Sequence, residues 1–263
     1  MCLEMPKMKG QKFYYKSLTD DVYHDNIKEK VIDENYKYYK KNIFYRFFAF
    51  TYYHIIIFPI AFFYCKIIKH IKYVGKKKLK QAKSGCFVYA NHTNPKSDAF
   101  SPSQISSPKK IYIIVNPSNL NIPVFKSSTK MLGALPLPTG LKTSRNFMEA
   151  IEYRLNQKAP ILIYPEAKIW PYYTKIRPFP STSFKYPAQY KRPIYTFTTT
   201  YQKAKRGKCK TIIYVDGPFY PTEKLSIREQ QEELRNIAYN TMCERAKQSN
   251  FEHNEYIEIK ENE

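Results

Sequence analysis

Three side chains in this sequence have the types and spacing for proton-transfer chemistry: His92 and Asp98 within NHTNPKSDAF (91–100), and Glu166 within ILIYPEA (161–167). An imidazole accepts a proton near neutral pH. A carboxylate bonded to one ring nitrogen fixes the tautomer and leaves the other nitrogen free as a general base, an arrangement worth about 10²–10⁴ in rate. His92 and Asp98 cannot meet on one helix face, because a six-residue offset turns side chains by about 240° and Pro95 interrupts the hydrogen-bond ladder. A loop can join them: the intervening chain reaches ~20 Å, and a turn at Asn94-Pro95 folds Asp98 back onto the ring. Read alone, the stretch is equally a polar loop, and Glu166 alone reads as a helix-capping or surface carboxylate. His24, His54, His70 and His253 lie in segments without comparable polar company, so no metal site is expected.

What must position these groups is a sheet. His92 follows the apolar run CFVYA and Glu166 follows ILIY, each leading into a turn that contains Pro. Sites in open α/β sheets lie just beyond the carboxyl ends of strands. Short β-rich runs predict strands over Cys86–Asn91, Ile111–Asn116, Ile161–Tyr164, Ile194–Tyr201 and Thr211–Val215. Phe147, Ala150, Ile151 and Leu155 recur at helical spacing within Thr143–Asn156, and Ser226 with Glu229 forms a capping box that opens a last helix to about Lys247. Alternating strands and helices predict an α/β fold, a mixed or largely parallel β-sheet flanked by helices.

The 263 residues suffice for one such domain with an appendage. Forty-four Lys and Arg against 22 Asp and Glu give a net charge of +22, which points to a polyanionic partner. Nucleic acid and an anionic membrane surface are the usual two, and 25 Tyr with 17 Phe serve either. Arg, the residue of bidentate base and phosphate recognition, is scarce, which favours the membrane; a Lys-rich genome is a further source of the charge. Five scattered cysteines, never in C-x-x-C spacing, predict reduced thiols in a cytosolic setting and no disulfide framework. The first 30 residues are charged and lack the apolar core of a secretory signal.

A polar lead-in (1–41) precedes an apolar segment with basic flanks (42–80), whose centre, Phe47 to Cys65, contains Pro59. At about 1.5 Å per residue it nearly matches a bilayer core. A transmembrane helix, a re-entrant or in-plane helix bent at Pro59, and a helix buried against the domain are the three readings. Lysines on both flanks, rather than one, favour a Pro-bent segment that dips into one leaflet and returns. The main domain follows over 81–250, and the acidic tail 251–263 is expected to fray.

Taken together, the motifs resemble those of the glycerolipid acyltransferase family, whose best-known members are lysophosphatidate acyltransferases. NHTNPKSDAF resembles the first block, Asn-His followed by Asp. NIPVFKSSTKMLGALPLP, Asn121 to Pro138, resembles the second, a helix and then a Gly-led strand. YPEA resembles the third, usually aromatic-Pro-Glu-Gly, and Arg192-Pro193-Ile194 the fourth. The blocks come in the family's order over roughly residues 70–220. The resemblance implies a membrane-associated enzyme on the cytoplasmic face, in which His92, oriented by Asp98, takes a proton from the hydroxyl of a lysophosphatidate-like acceptor. That hydroxyl attacks an activated acyl donor, acyl-CoA or acyl-carrier protein, with no acyl-enzyme and no further cofactor, and the product is phosphatidic acid. Glycerol-3-phosphate and other lysolipids are alternative acceptors, and a basic nucleic-acid-binding protein is the alternative of another class.

This sequence departs from the family pattern at several positions. Five residues rather than four separate His92 from Asp98, which makes Ser97 a rival partner. Thr139 stands where the second block usually ends in Arg, with Lys142 and Arg145 the nearest cations, and Ala167, Lys168 and Ile169 replace the third block's Gly, Thr and Arg. Acceptor binding is therefore assigned to Glu166, Lys168, Lys175, Arg177, Lys142 and Arg145.

Overall fold

The computed structural model describes residues 10–23, 31–121 and 128–259. A short strand, β1 (Lys12–Tyr15), opens the chain. Helix α1 (Ile43–Ile68) follows, then β2 (Lys72–Val74), α2 (Lys76–Lys80), β3 (Cys86–Ala90), α3 (Ser97–Ser106) and β4 (Tyr112–Val115). The chain continues through α4 (Thr129–Leu132), β5 (Ala134–Pro136), α5 (Leu141–Asn156), β6 (Pro160–Ile163) and α6 (Lys185–Tyr190). It ends with β7 (Ile194–Lys203), β8 (Cys209–Phe219), α7 (Ile227–Ala246) and β9 (Glu255–Glu258). Seven strands form one sheet in the order β2-β8-β7-β3-β6-β4-β5, parallel except for the β7–β8 pair.

Strand β3 shows why the sheet needs cover on both faces. All five residues of CFVYA are buried. Phe87 and Tyr89 enter one apolar cluster with Phe147, Ile151 and Leu155 of α5 and Leu234, Ala238 and Met242 of α7. Cys86, Val88 and Ala90 enter the opposite cluster with Cys65 of α1 and Ile105 of α3. Alternate residues of a strand face opposite ways, so a strand apolar throughout belongs between two layers. Each large side chain so buried stabilises the fold by roughly 1.5–3 kcal/mol. Gly85 permits the close approach of α5, since a Cβ there would lie 2.4 Å from the carbonyl oxygen of Leu155.

The five strands expected from the β-rich runs are all present, and α7 begins at the capping box, where the Glu229 N–H donates to the Ser226 hydroxyl and the Ser226 N–H to the Glu229 carboxylate. Two expectations need correction. The lead-in, expected to be loose or helical, contributes a strand at Lys12–Tyr15, and the tail does not fray over residues 255–258. β1 and β9 pair with each other as a second, parallel two-stranded sheet, Lys12 opposite Glu255. Each strand is too short and too polar to announce itself; they form because the folded domain brings them together.

The helix α1 also differs from expectation. It does not turn back at Pro59 but runs through it as 26 helical residues. Wide turns over Tyr52–Ile57 and Phe63–Ile68 flank the proline, a local widening that relieves the clash of its ring with the preceding turn. Tyr53, Ala61 and Cys65 are buried against the domain, where Tyr64 packs on Phe100 of α3. The outer face, including Phe44, Phe48, Ile55 and Phe63, is exposed.

Candidate active site

Adjacent parallel strands β3 and β6, with Tyr89 opposite Ile163, deliver both motifs to one edge of the sheet. Asn91 secures the end of β3: its side-chain amide donates to Thr199 O at 3.0 Å and its carbonyl oxygen accepts the Thr199 N–H at 2.8 Å. A side chain thereby continues the β-pairing, and the next residue leaves the sheet.

That residue is His92. Its Nδ1 lies 2.9 Å from Asp98 Oδ2, and the same oxygen accepts the N–H groups of Thr93 (3.1 Å) and Asn94 (3.0 Å). The Asn94 side chain accepts the Ser97 N–H at 3.0 Å, closing the tight turn that returns the chain. Asp98 is buried and the His92 side chain is 25% exposed, stacked 4.3 Å from the Tyr164 ring. A buried carboxylate at Nδ1 makes that nitrogen the donor, so Nε2 carries the lone pair. Ser97, the rival at the usual spacing, is buried with Tyr64 nearby, and its hydroxyl makes no hydrogen bond to His92.

Glu166 lies beneath His92 rather than beside it. One carboxylate oxygen accepts the His92 N–H at 3.1 Å, and the other accepts the Arg177 N–H at 3.0 Å. The Arg177 guanidinium donates to Glu166 Oε2 at 3.3 Å and to the carbonyls of Leu18 and Lys168. Both side chains are almost wholly buried, 1% and 3% exposed. Burial raises the Glu166 pKa, while Arg177 and the two backbone N–H groups pull it the other way. Removing either partner would strand a buried charge, a loss of several kcal/mol. The pair thus holds the His92 main chain. Ala167, where the resembled motif has Gly, adopts φ +60°, the left-handed region in which Gly is at home.

The other assigned cations fall into two groups. Lys168 reaches Asp21 at 2.7 Å, and Lys175 is exposed with no ion partner among the described residues. Lys142 pairs with Glu34 and Arg145 with Glu149, all exposed. These last two lie on α5, which starts after β5, three strands from β3 and roughly 14 Å along the sheet at about 4.8 Å per strand. The structure does not bring them to His92. Thr139 donates to Ile32 O, and the second-block residues 122–127 lie outside the described residues. Asn91 entered the sequence reading only as the Asn of the first block, and Trp170 and Tyr201 were not singled out. Their role is main-chain fixation: Trp170 N–H donates to His92 O (3.1 Å) and the Tyr201 hydroxyl to Thr93 O (3.3 Å). Of these, only Asn91 had a readable signal, as the residue directly before His92.

The mixed sheet thus places a His-Asp pair at the tip of one central strand and a buried Glu at the tip of its neighbour. The family model described as Acyltransferase matches residues 70–200, and the chain belongs to the glycerolipid acyltransferase family through this domain. The fold is similar to that of the 1-acyl-sn-glycerophosphate (LPA) acyltransferase PlsC from Thermotoga maritima. The TM-score is 0.56 at 14% sequence identity, over 82% of this chain and 87% of that one. No curated protein sequence matches the chain.

Proposed function

We propose that the protein transfers a fatty acyl group from a thioester donor, acyl-CoA or acyl-carrier protein, to the free hydroxyl of a lysophosphatidate-like acceptor, giving phosphatidic acid. The carrying observation is the 2.9 Å contact between His92 Nδ1 and Asp98 Oδ2, on a ring whose Nε2 has no hydrogen-bond partner among the described residues. His92 Nε2 takes the acceptor's hydroxyl proton as the oxygen attacks the thioester carbonyl, and Asp98 stabilises the imidazolium. The C–O bond forms, the C–S bond breaks, and the proton passes to the departing thiolate. Ser97 lies too deep to serve as nucleophile, which favours direct transfer over an acyl-enzyme. Among the assigned cations, exposed Lys175 is the candidate for the acceptor's phosphate, followed by Lys168, which pairs with Asp21.

The exposed outer face of α1, with lysines at both ends, fits insertion into one leaflet of an anionic membrane at the cytoplasmic face. The alternative of a nucleic-acid binder gives no account of that apolar face.

The test is transfer of a labelled acyl group by detergent-solubilised protein, with both donors and with lysophosphatidate, glycerol-3-phosphate and other lysolipids as acceptors. Lysophosphatidate-dependent phosphatidic acid, abolished by His92→Ala, is the expected result. Transfer only to another acceptor would replace the substrate assignment, and full activity of His92→Ala would overturn the mechanism.

A further inference from the structure

Segments from the two ends of the chain meet on the loop that holds His92. Beyond the pairing of β1 with β9, Gly10 N–H donates to His253 O and Ile259 N–H to Tyr15 O. Between this small sheet and the loop sits Trp170, the only tryptophan in the sequence and fully buried. Its ring stacks on Tyr256 at 5.0 Å and 1°, meets Tyr15 at 4.9 Å, and its indole N–H donates to Asp20 O at 2.9 Å. The Tyr256 hydroxyl and the Asn254 amide both donate to Pro171 O, at 2.7 and 2.9 Å.

On its inner side the same loop grips the catalytic turn. Trp170 N–H donates to His92 O, Tyr172 N–H to Thr93 O at 2.6 Å, and the Thr93 hydroxyl to Tyr173 O at 3.0 Å. With Glu166 accepting the His92 N–H, both main-chain polar groups of His92 are held by residues 166–170. Arg177, which braces Glu166, packs 4.9 Å from the Trp170 ring.

We propose that the β1–β9 pair is a clasp that positions the catalytic loop, with Tyr256 and Trp170 as positioning residues that transmit the pairing of the terminal segments to His92. The inference rests on the acyl-transfer reading of His92. β1 and β9 lie outside the segment matched by the family model, so the clasp is an addition to that domain. It acts on geometry rather than on substrate contact, and a displacement of about 1 Å at a reacting group costs on the order of 10²-fold in rate. Opening the clasp therefore lowers kcat and leaves KM for donor and acceptor nearly unchanged.

Tyr256→Leu removes the stack and the bond to Pro171, Tyr256→Phe removes the bond alone, and Lys12→Ala removes only an exposed ion pair with Glu255. Three readouts apply: Trp170 fluorescence, hydrogen exchange at the amides of His92, Trp170 and Tyr172, and steady-state kinetics. Tyr256→Leu is expected to red-shift the emission, speed exchange at those amides while β3, β6 and β7 stay protected, and lower kcat on the order of 10²-fold. Tyr256→Phe restores most of the rate and Lys12→Ala all of it. Release of the indole with the His92 amide still protected and kcat unchanged overturns the proposal. Should Tyr256→Leu also lose the protection of the main sheet, Asn254→Ala carries the same comparison. If wild type turns over no acyl thioester while indole and His92 amide open together, the coupling is supported and the acyl-transfer reading fails.

Discussion

Asp98 Oδ2 holds His92 Nδ1 at 2.9 Å while accepting two backbone N–H groups from the turn between them. One oxygen thus shapes the loop and orients the base. The extra residue between His and Asp is absorbed by the turn at Asn94-Pro95, which ends with Asp98, and not Ser97, under the ring.

Asp98→Asn should therefore lower kcat by about 10²–10⁴, with little loss of folded protein, because the amide oxygen still accepts backbone N–H groups. Ser97→Ala should stay within about twofold of wild type. The measurement is kcat for both purified variants, with folding checked by circular dichroism. An inactive Ser97→Ala beside an active Asp98→Asn would reverse the assignment.

A second prediction concerns the seam between α1 and the domain. Lys110 Nζ sits 5.1 and 5.2 Å from the ring centroids of Tyr53 and Tyr112 and donates to Met131 O. Burial, with Arg154 nearby, pulls its pKa from an ordinary 10.5 down to about 7. Below pH 7 the group is charged both folded and unfolded, and the folded state bears the full desolvation cost. Between about 7 and 10.5 the unfolded chain binds the extra proton, so stability rises with pH through that window. Thermal melts at pH 6 and pH 9 should show Lys110→Met changing Tm more favourably at pH 6. An equal change at both would mean the ammonium is not desolvated there.

Membrane attachment gives a third. Phe48 and Phe63 are exposed on α1, 61% and 56%, and burying one such ring in lipid is worth roughly 1.5–3 kcal/mol. Each Phe→Ser change should weaken partitioning into anionic vesicles about tenfold or more, and moderate salt should weaken wild type less than either substitution does. Sedimentation with vesicles checks this. Complete release of wild type by salt alone would show that charge, and not the apolar face, carries attachment.

Strands β3 and β6 were legible because each is an unbroken apolar run bounded by Gly, Pro or polar residues, the pattern of a strand covered on both faces, and β7 because its Thr, Ile and aromatic residues favour a strand. The His92–Asp98 turn was legible as a possibility: Asn94 and Pro95 announce a reversal, yet only the fold shows which acidic or hydroxyl group arrives under the imidazole. Arg177 marks where sequence reading stops. Its charge suggested a phosphate ligand, whereas three-dimensional packing commits it to Glu166, eleven residues earlier. Lys142 and Arg145 were chosen for their proximity along the chain to the second block, whereas the strand order sets their helix three strands from β3 and their side chains pair with Glu34 and Glu149. Ala167 shows the opposite case, in which a local backbone need stays visible through a substitution: the left-handed conformation persists although the glycine is gone.

The pairing of β1 with β9 has a consequence for biogenesis. Gln11 and Asn254, bonded at its edge, are 243 residues apart. Closing so long a loop in an unfolded chain costs roughly 5 kcal/mol, more than two four-residue strands return, so the pair joins only after the central sheet has drawn the ends together. During synthesis the ribosome therefore exposes a domain whose sheet is complete and whose catalytic loop is not yet braced. Full competence arrives only when residues 254–258 emerge and find Lys12–Tyr15, made long before.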